Sequence, residues 1–409
     1  MAEVVPFHGL RYDESRTGPL AELICPPYDV ISDADREDFH KRSENNVVRV
    51  EWGREEPGDD PTVNRYTRAK QALTEWVEEG VLRVDAVPAF YLYDHHFELR
   101  GQRLRRRGFL GALRLYQEGR GIVRPHELTF AKAKTDRLRL LRLTRTNTSP
   151  VFGMYEDDGA RVASSLERWM AHGPARLVGD ARAGPERHLL WALDDRPAAQ
   201  RLAALMRDKR VYIADGHHRY ETGLAYLAEE RDAGRVELAE DSANFILAYL
   251  CALDDPGLRI LPTHRIVRGG RVAMDAAIAS GFESATIDRG TVDDTQPGIV
   301  LVRDGSFTEL RVRADADLSK MPEAWRALPV AHTELLLESA RAAGAEIGYE
   351  HDTERAISAA GNGQDVLLVP GVEPRTLQRV ADEWQRLPQK TTYFYPKVPA
   401  GLVLRPLGE

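Results

Sequence analysis

The chain has 409 residues, 43% hydrophobic and 29% charged, which is material for two or three buried cores rather than one. Its net charge of −8 argues against non-specific coating of nucleic acid, though not against a local basic pocket. Two distant cysteines, Cys25 and Cys251, exclude a disulfide framework and the usual structural zinc sites.

The first residues lack the charged-then-apolar pattern of a signal peptide, and the longest strongly apolar stretch, Phe245–Leu253, is about half a membrane span. A cytoplasmic protein without membrane contact is expected. In chain order, Pro26 and Pro27 predict an extended, turn-rich segment over Ile24–Ser32. NVVRVEW (Asn46–Trp52) alternates like a half-buried strand. Pro61 to Gly80 predicts a helix, with Tyr66, Ala69, Leu73, Trp76 and Val77 on one face. Two strands, from Ala89 and from Arg106, join at a polar turn over Arg100–Gln102; His95 and His96 read as strand residues with one face exposed.

Further on, Ala198–Asp208 predicts a helix, Arg210–Ala214 a strand and Gly216–Arg231 a helix. NFILAYLCAL and ILPTHRIV each predict one strand. After Gly270, helices (Val272–Ser280, Glu334–Ala343, Thr353–Ala360, Arg375–Gln385) alternate with strands (Ile299–Arg303, Thr308–Val312, Val366–Val369). The expected organisation is a core over 1–269, an α/β subdomain over 270–385, and a tail over 386–409 packing back on the core. The fold class is mixed α/β.

The chemistry concentrates in VYIADGHHRYET, where a strand gives way to a helix. Gly216 permits a tight turn and close approach of a ligand, and the helix N-terminus behind it favours an anion. Arg219 adds a planar fork for phosphate or carboxylate. Asp215 reads as cap, general base or magnesium ligand; His217 and His218 read as phosphate donors or proton carriers. Neighbouring histidines point apart, which disfavours a shared zinc ion. A second concentration, Lys132 to Arg145, sets six cations against Asp136 alone. It reads as a solvated amphipathic face or as a phosphate clamp of Lys132, Lys134, Arg137 and Arg145, flanked by His126, Glu127 and Thr146–Ser149. Lys390 belongs to a polar-aromatic cluster with Tyr393, Tyr395 and Lys397, while Asp29 and Glu51 are lone carboxylates.

PPYDVI, NVVRVEW, HELTF, KTDRLRLLRLTRTNTSPVF, ADGHHRYET, LPTHR and TYFYPKVPAGLV occur in that order from Pro26 to Pro406. In this the chain resembles a prokaryotic family designated only as a domain of unknown function. More distantly, DGHHR resembles the phosphate-binding corner of the ParB/sulfiredoxin-like superfamily, which includes free-serine kinases. That resemblance implies a ParB/sulfiredoxin-like core. It also implies phosphate binding at Gly216, His217, His218 and Arg219, with Asp215 as catalytic carboxylate or metal ligand. Histidines stand where a sulfiredoxin has its cysteine, and no helix-turn-helix DNA reader is visible.

The expected function is therefore phosphoryl transfer or phosphate-ester chemistry on a small phosphorylated or hydroxylated metabolite, first the serine/O-phosphoserine pair, with Mg2+ and, for a kinase, ATP or ADP. The alternative is a ParB-type nucleotide-binding regulator with nucleic-acid contacts and no turnover; the acidic balance disfavours a nucleic-acid partner.

Overall fold

The computed structural model describes residues 2–117, 119–127, 131–292, 298–319, 321–361, 363–388 and 390–408, and of 131 and 132 the backbone alone. Two compact units divide the chain. One comprises Met1–Arg124, Thr129–Leu258 and Pro396–Glu409; the other Pro125–Leu128 and Arg259–Tyr395.

The first unit is built on a hairpin of β1 (Phe90–Leu99) and β2 (Gln102–Arg114). Arg100 and Gly101 both take positive φ, 53° and 74°, which suits the right-handed twist of a tight hairpin. With β3 (Val151–Tyr155), β4 (Arg176–Ala183), β5 (Glu186–Leu193), β6 (Val211–Asp215) and β7 (Phe245–Ala252) they form one sheet, in the order β6-β3-β7-β2-β1-β5-β4. Two-residue strands at Val123–Arg124 and Val4–Val5 pair with β6 and β2. The sheet is mixed: β7 runs parallel to β3 and antiparallel to β2.

All eight residues of β7 are buried, as expected of a central strand covered on both faces. One face carries Phe109, Leu113, Ile213 and Leu250 against Val162, Leu166, Trp169, Leu202, Met206 and Tyr226 of three helices. These are α1 (Arg161–His172), α2 (Arg196–Met206) and α3 (His217–Asp232). The other face is aromatic and polar: Tyr91, Tyr93, His95, Phe152 and Tyr249, with the buried Arg106 guanidinium over the Phe152 and Tyr249 rings. His95 is thus wholly buried, unlike its half-buried neighbour His96. Both cysteines are free and buried.

NVVRVEW is not a strand. Val48–Glu51 forms a single helical turn, because Asn46 accepts the Val48 amide at 2.9 Å and donates to the Glu22 carbonyl at 2.7 Å. Local capping overrides the apparent alternation. The segment Arg65–Glu78 is the helix expected over Pro61 to Gly80, capped by Asn64.

The second unit holds a six-stranded antiparallel sheet in the order 282–287, 306–312, 299–303, 365–368, 264–268, 346–350. Ile299 and Leu301 face Met274, Leu336 and Leu337, whereas Val300 and Val302 face Ala356 and Ala360. A period of two inside an unbroken apolar run is what helices on both faces require. ILPTHRIV divides at Pro262: Arg259–Leu261 pairs with Tyr393–Tyr395, and His264–Arg268 enters the large sheet. Among the described residues no helix is long and apolar enough to cross a membrane.

Candidate functional site

Asp215 ends the buried strand β6, and α3 begins two residues later. Gly216 between them has φ 84°, and a Cβ there would lie 2.9 Å from Arg219 Nε. The glycine therefore serves twice: it takes the left-handed conformation, and it lets the Arg219 guanidinium fold back against the turn. From there Arg219 Nη2 donates to Asp215 Oδ2 at 2.6 Å, and Nη1 donates to the Pro150 carbonyl. Lys397 Nζ donates to the other carboxylate oxygen, Oδ1. Side-chain exposures of 9% for Arg219, 8% for Lys397 and 14% for Asp215 make this a largely desolvated cation–carboxylate–cation group.

Burial acts to raise the Asp215 pKa, but Lys397 and Arg219 outweigh it and hold the carboxyl well below the usual carboxylate range. Burial likewise works against the Arg219 charge; Asp215, with Asp29, Glu51 and Tyr28, overcomes it and raises the guanidinium pKa. Asp215 and Arg219 are thus both charged at neutral pH.

Beside the corner lies Glu51, 1% exposed. Its carboxylate accepts the Thr148 hydroxyl at 2.5 Å, the Ser149 hydroxyl at 2.9 Å and the Tyr28 amide at 3.4 Å. Its carbonyl accepts Arg137 Nη1 at 2.8 Å. Arg137 in turn donates to Asp136 at 2.7 Å and lies 4.1 Å over the Tyr28 ring. Glu51, Arg137, Thr148, Ser149, Arg219 and Thr222 help line a small hollow of about 40 Å³. That is water-sized, against roughly 300–1,000 Å³ for ligand pockets. A larger cleft of about 930 Å³, between α1 and α2, is lined by Arg161, Arg168, Arg201 and Lys209 and holds none of the candidate site residues, though Tyr212 of β6 borders it.

The clamp read from the basic segment is not assembled as such. Residues 131–144 do form a helix, but Lys134 pairs with Glu221 at 3.0 Å, Arg137 is buried against Asp136, and Arg145 Nη2 reaches the Gly408 carbonyl at 3.4 Å. Lys134 takes its acid, Glu221, from α3, which a count of acids within the segment alone does not show. The Lys132 side chain lies outside the described residues. His126, Glu127 and Lys390 belong to the second unit, where Lys390 N donates to Glu127 Oε1 at 3.0 Å and His126 Nε2 is 3.4 Å from Thr392 Oγ1. His217 is buried, and His218 half-buried, in the first turn of α3. The expected magnesium ligand does not fit the ion: each Asp215 oxygen holds a cation, and Mg2+ there would meet two like charges.

Sequence reasoning left Lys397 and Glu51 out of the site. Lys397 lies 182 residues from its partner, beyond the reach of spacing arguments. The usable signal was the coincidence of three polar side chains, Asn147, Thr148 and Ser149, immediately before a proline and a buried strand.

A family model described as "Protein of unknown function (DUF1015)" matches residues 4–331. The chain belongs to the DUF1015 family. The matched span of this DUF1015 protein includes Glu51, Arg137, Asp215 and Arg219; Lys397 lies beyond it. Among solved structures, the chain is similar to SbnI with a C-terminal truncation from Staphylococcus aureus (TM-score 0.40, 10% identity, 73% of this chain and 87% of that one). It is similar to a free serine kinase in complex with AMP (TM-score 0.36, 13% identity, 69% and 89%). A conserved hypothetical protein from Pyrococcus furiosus gives TM-score 0.37 at 13% identity, over 68% and 90%. No curated protein matches the sequence.

Proposed function

We propose that this protein catalyses phosphoryl transfer or phosphate-ester cleavage on a small metabolite, the serine/O-phosphoserine pair first. One observation carries the reading. Tyr28, Asp29, Glu51, Arg137, Ser149, Pro150 and Lys397, from separate stretches of sequence, gather around the Asp215–Arg219 corner. Such convergence of charged and polar groups on a strand-to-helix turn is the pattern of a site rather than of a cap.

Phosphoryl transfer depends mainly on positioning and charge neutralisation. In the proposed roles, Lys397 and Arg219 face phosphoryl oxygens with the aid of the α3 N-terminus, which Gly216 leaves without a side-chain cap. Asp215 spaces the two cations. Its depressed pKa makes it a weak base, so the hydroxyl proton falls to His217 or His218. Glu51 positions the Thr148–Pro150 segment, whose last carbonyl holds Arg219. Any Mg2+ would come bound to the phosphates of ATP or ADP, where it would supply charge neutralisation, rather than be held by Asp215.

Phosphorus NMR tests the reading: the protein is incubated with O-phosphoserine, with serine and ATP, and with serine and ADP, each with magnesium. Free phosphate or new phosphoserine is expected, reduced about 100-fold or more in Lys397→Met. No product in any of the three, from folded protein, overturns it.

A further inference from the structure

Elsewhere on the first unit's sheet, register brings together a second set of chemistry-bearing side chains. His95 of β1 and His188 of β5 are direct cross-strand partners. Glu186, two residues before His188, shares its face because strand side chains alternate. The imidazole centroids are 4.4 Å apart. His95 Nε2 lies 2.8 Å from Glu186 Oε2, and His188 Nε2 lies 3.7 Å from the same oxygen. One ligand atom from each side chain falls within 4.8 Å of the other two, and among the described residues no other such trio of histidine, cysteine or carboxylate groups occurs.

We propose that His95, Glu186 and His188 bind a divalent transition-metal ion of the zinc class. Two imidazoles and one carboxylate suit zinc, cobalt, nickel or ferrous iron, whereas magnesium and calcium prefer all-oxygen sets. Both rings are buried, so neither imidazole is hydrated by bulk water. Tyr93 Oη is 2.7 Å from His188 Nδ1. With the Nδ1 proton directed at that oxygen, the Nε2 lone pair points to Glu186, the orienting contact that ligating histidines commonly make. Glu186, whose side chain is 29% exposed, provides the route from solvent.

Without an ion, the His95 Nε2 proton bridges to Glu186. A metal about 2.0–2.2 Å from each donor spreads a tetrahedral pair to about 3.3 Å, so the 2.8 Å contact opens by about half an ångström. The ring proton then moves to Nδ1, displacing the long 3.4 Å contact from Arg106, which stays bonded to the Pro396 carbonyl at 2.7 Å. The Arg106 charge opposes any cation here. Only an ion that bonds strongly to imidazole overcomes it, which is a second reason to name the zinc class.

The test is calorimetric titration of the metal-free full chain with Zn2+, and with Co2+ followed by its visible ligand-field bands. One ion per chain is expected, with tetrahedral or five-coordinate cobalt bands. Glu186→Gln, nearly isosteric and at the solvent edge, should weaken binding at least tenfold, and Tyr93→Phe about 10–100-fold, with circular dichroism verifying the fold of each. No stoichiometric binding by the wild-type chain overturns the proposal. So does undiminished affinity in folded Glu186→Gln, which would put the ion elsewhere.

Discussion

Asp215→Asn probes the corner most directly, because it removes one charge and keeps the shape. The carboxylate stands between Arg219 and Lys397, both less than a tenth exposed, and it is the acceptor that each contacts. Neutralising it leaves two buried cations facing an amide that satisfies neither charge. Breaking a buried pair in this way costs about 3–5 kcal/mol. For a unit of this size that corresponds to roughly 6–20 °C in melting temperature. The variant should therefore be markedly less stable as well as inactive. Asp215→Asn combined with Lys397→Met removes one stranded cation and should recover about 1–3 kcal/mol relative to additivity. Since the folded pKa of Asp215 is depressed, its contribution is complete above the unfolded value near 4 and is lost only as pH falls further toward the folded one. The deficit of the variant should therefore be level from pH 5 to 8. Thermal melts monitored by circular dichroism across that range make the measurement. A variant within about 1 kcal/mol of wild type, or a deficit that changes sharply near neutral pH, refutes the reasoning.

Gly216→Ala imposes positive φ on a residue with a Cβ and drives that atom into Arg219, so a loss of about 1–3 kcal/mol in urea denaturation is expected, together with loss of any turnover. His40 is buried with neither ring nitrogen hydrogen-bonded, and burial, then Arg54 and Arg49, lower its pKa to about 4. The unfolded chain thus takes up the proton first: stability is complete above pH 6.5 and falls by up to about 3 kcal/mol by pH 4. His40→Leu should remove that portion of the acid slope in urea titrations at successive pH values. Glu51→Gln leaves the Thr148 and Ser149 hydroxyls with a poorer acceptor. It should lower kcat in the phosphorus NMR assay more than it raises KM, and Glu51→Asp should restore part of the loss.

What the sequence revealed depended on range. The corner was readable because its parts, an apolar strand, one glycine and an arginine four residues after the aspartate, are contiguous, and local chemistry determines local shape. The Phe90–Arg114 hairpin and the Arg65–Glu78 helix were readable for the same reason. Val48–Glu51 misled because one side chain, Asn46, accepts the Val48 amide that opens the turn, and backbone bonds from Val50, Glu51 and Trp52 complete it, so alternation is irrelevant. The basic run left its two readings open for a different reason. Lys134 and Arg142 find Glu221 and Glu229 on α3, acids that no window around residue 137 includes. Lys397 and the His95–Glu186–His188 trio depend on strand order and tail return, which a single chain does not display.

The strands Arg259–Leu261 and Tyr393–Tyr395 pair so that Arg259 lies directly opposite Tyr395. The long segment of the second unit, Arg259–Tyr395, is therefore an insertion whose entrance and exit are hydrogen-bonded neighbours. Bringing Lys397 to Asp215 closes a span of 182 residues, which as flexible chain costs about 4–5 kcal/mol of entropy. Once the insertion has folded, most of that span no longer counts, because its two ends already lie side by side. Folding of the inserted unit thus acts as an entropic latch on a charge contact outside it. Substitutions that loosen the 259–261/393–395 ladder should weaken the Lys397 contact without altering any atom that makes it.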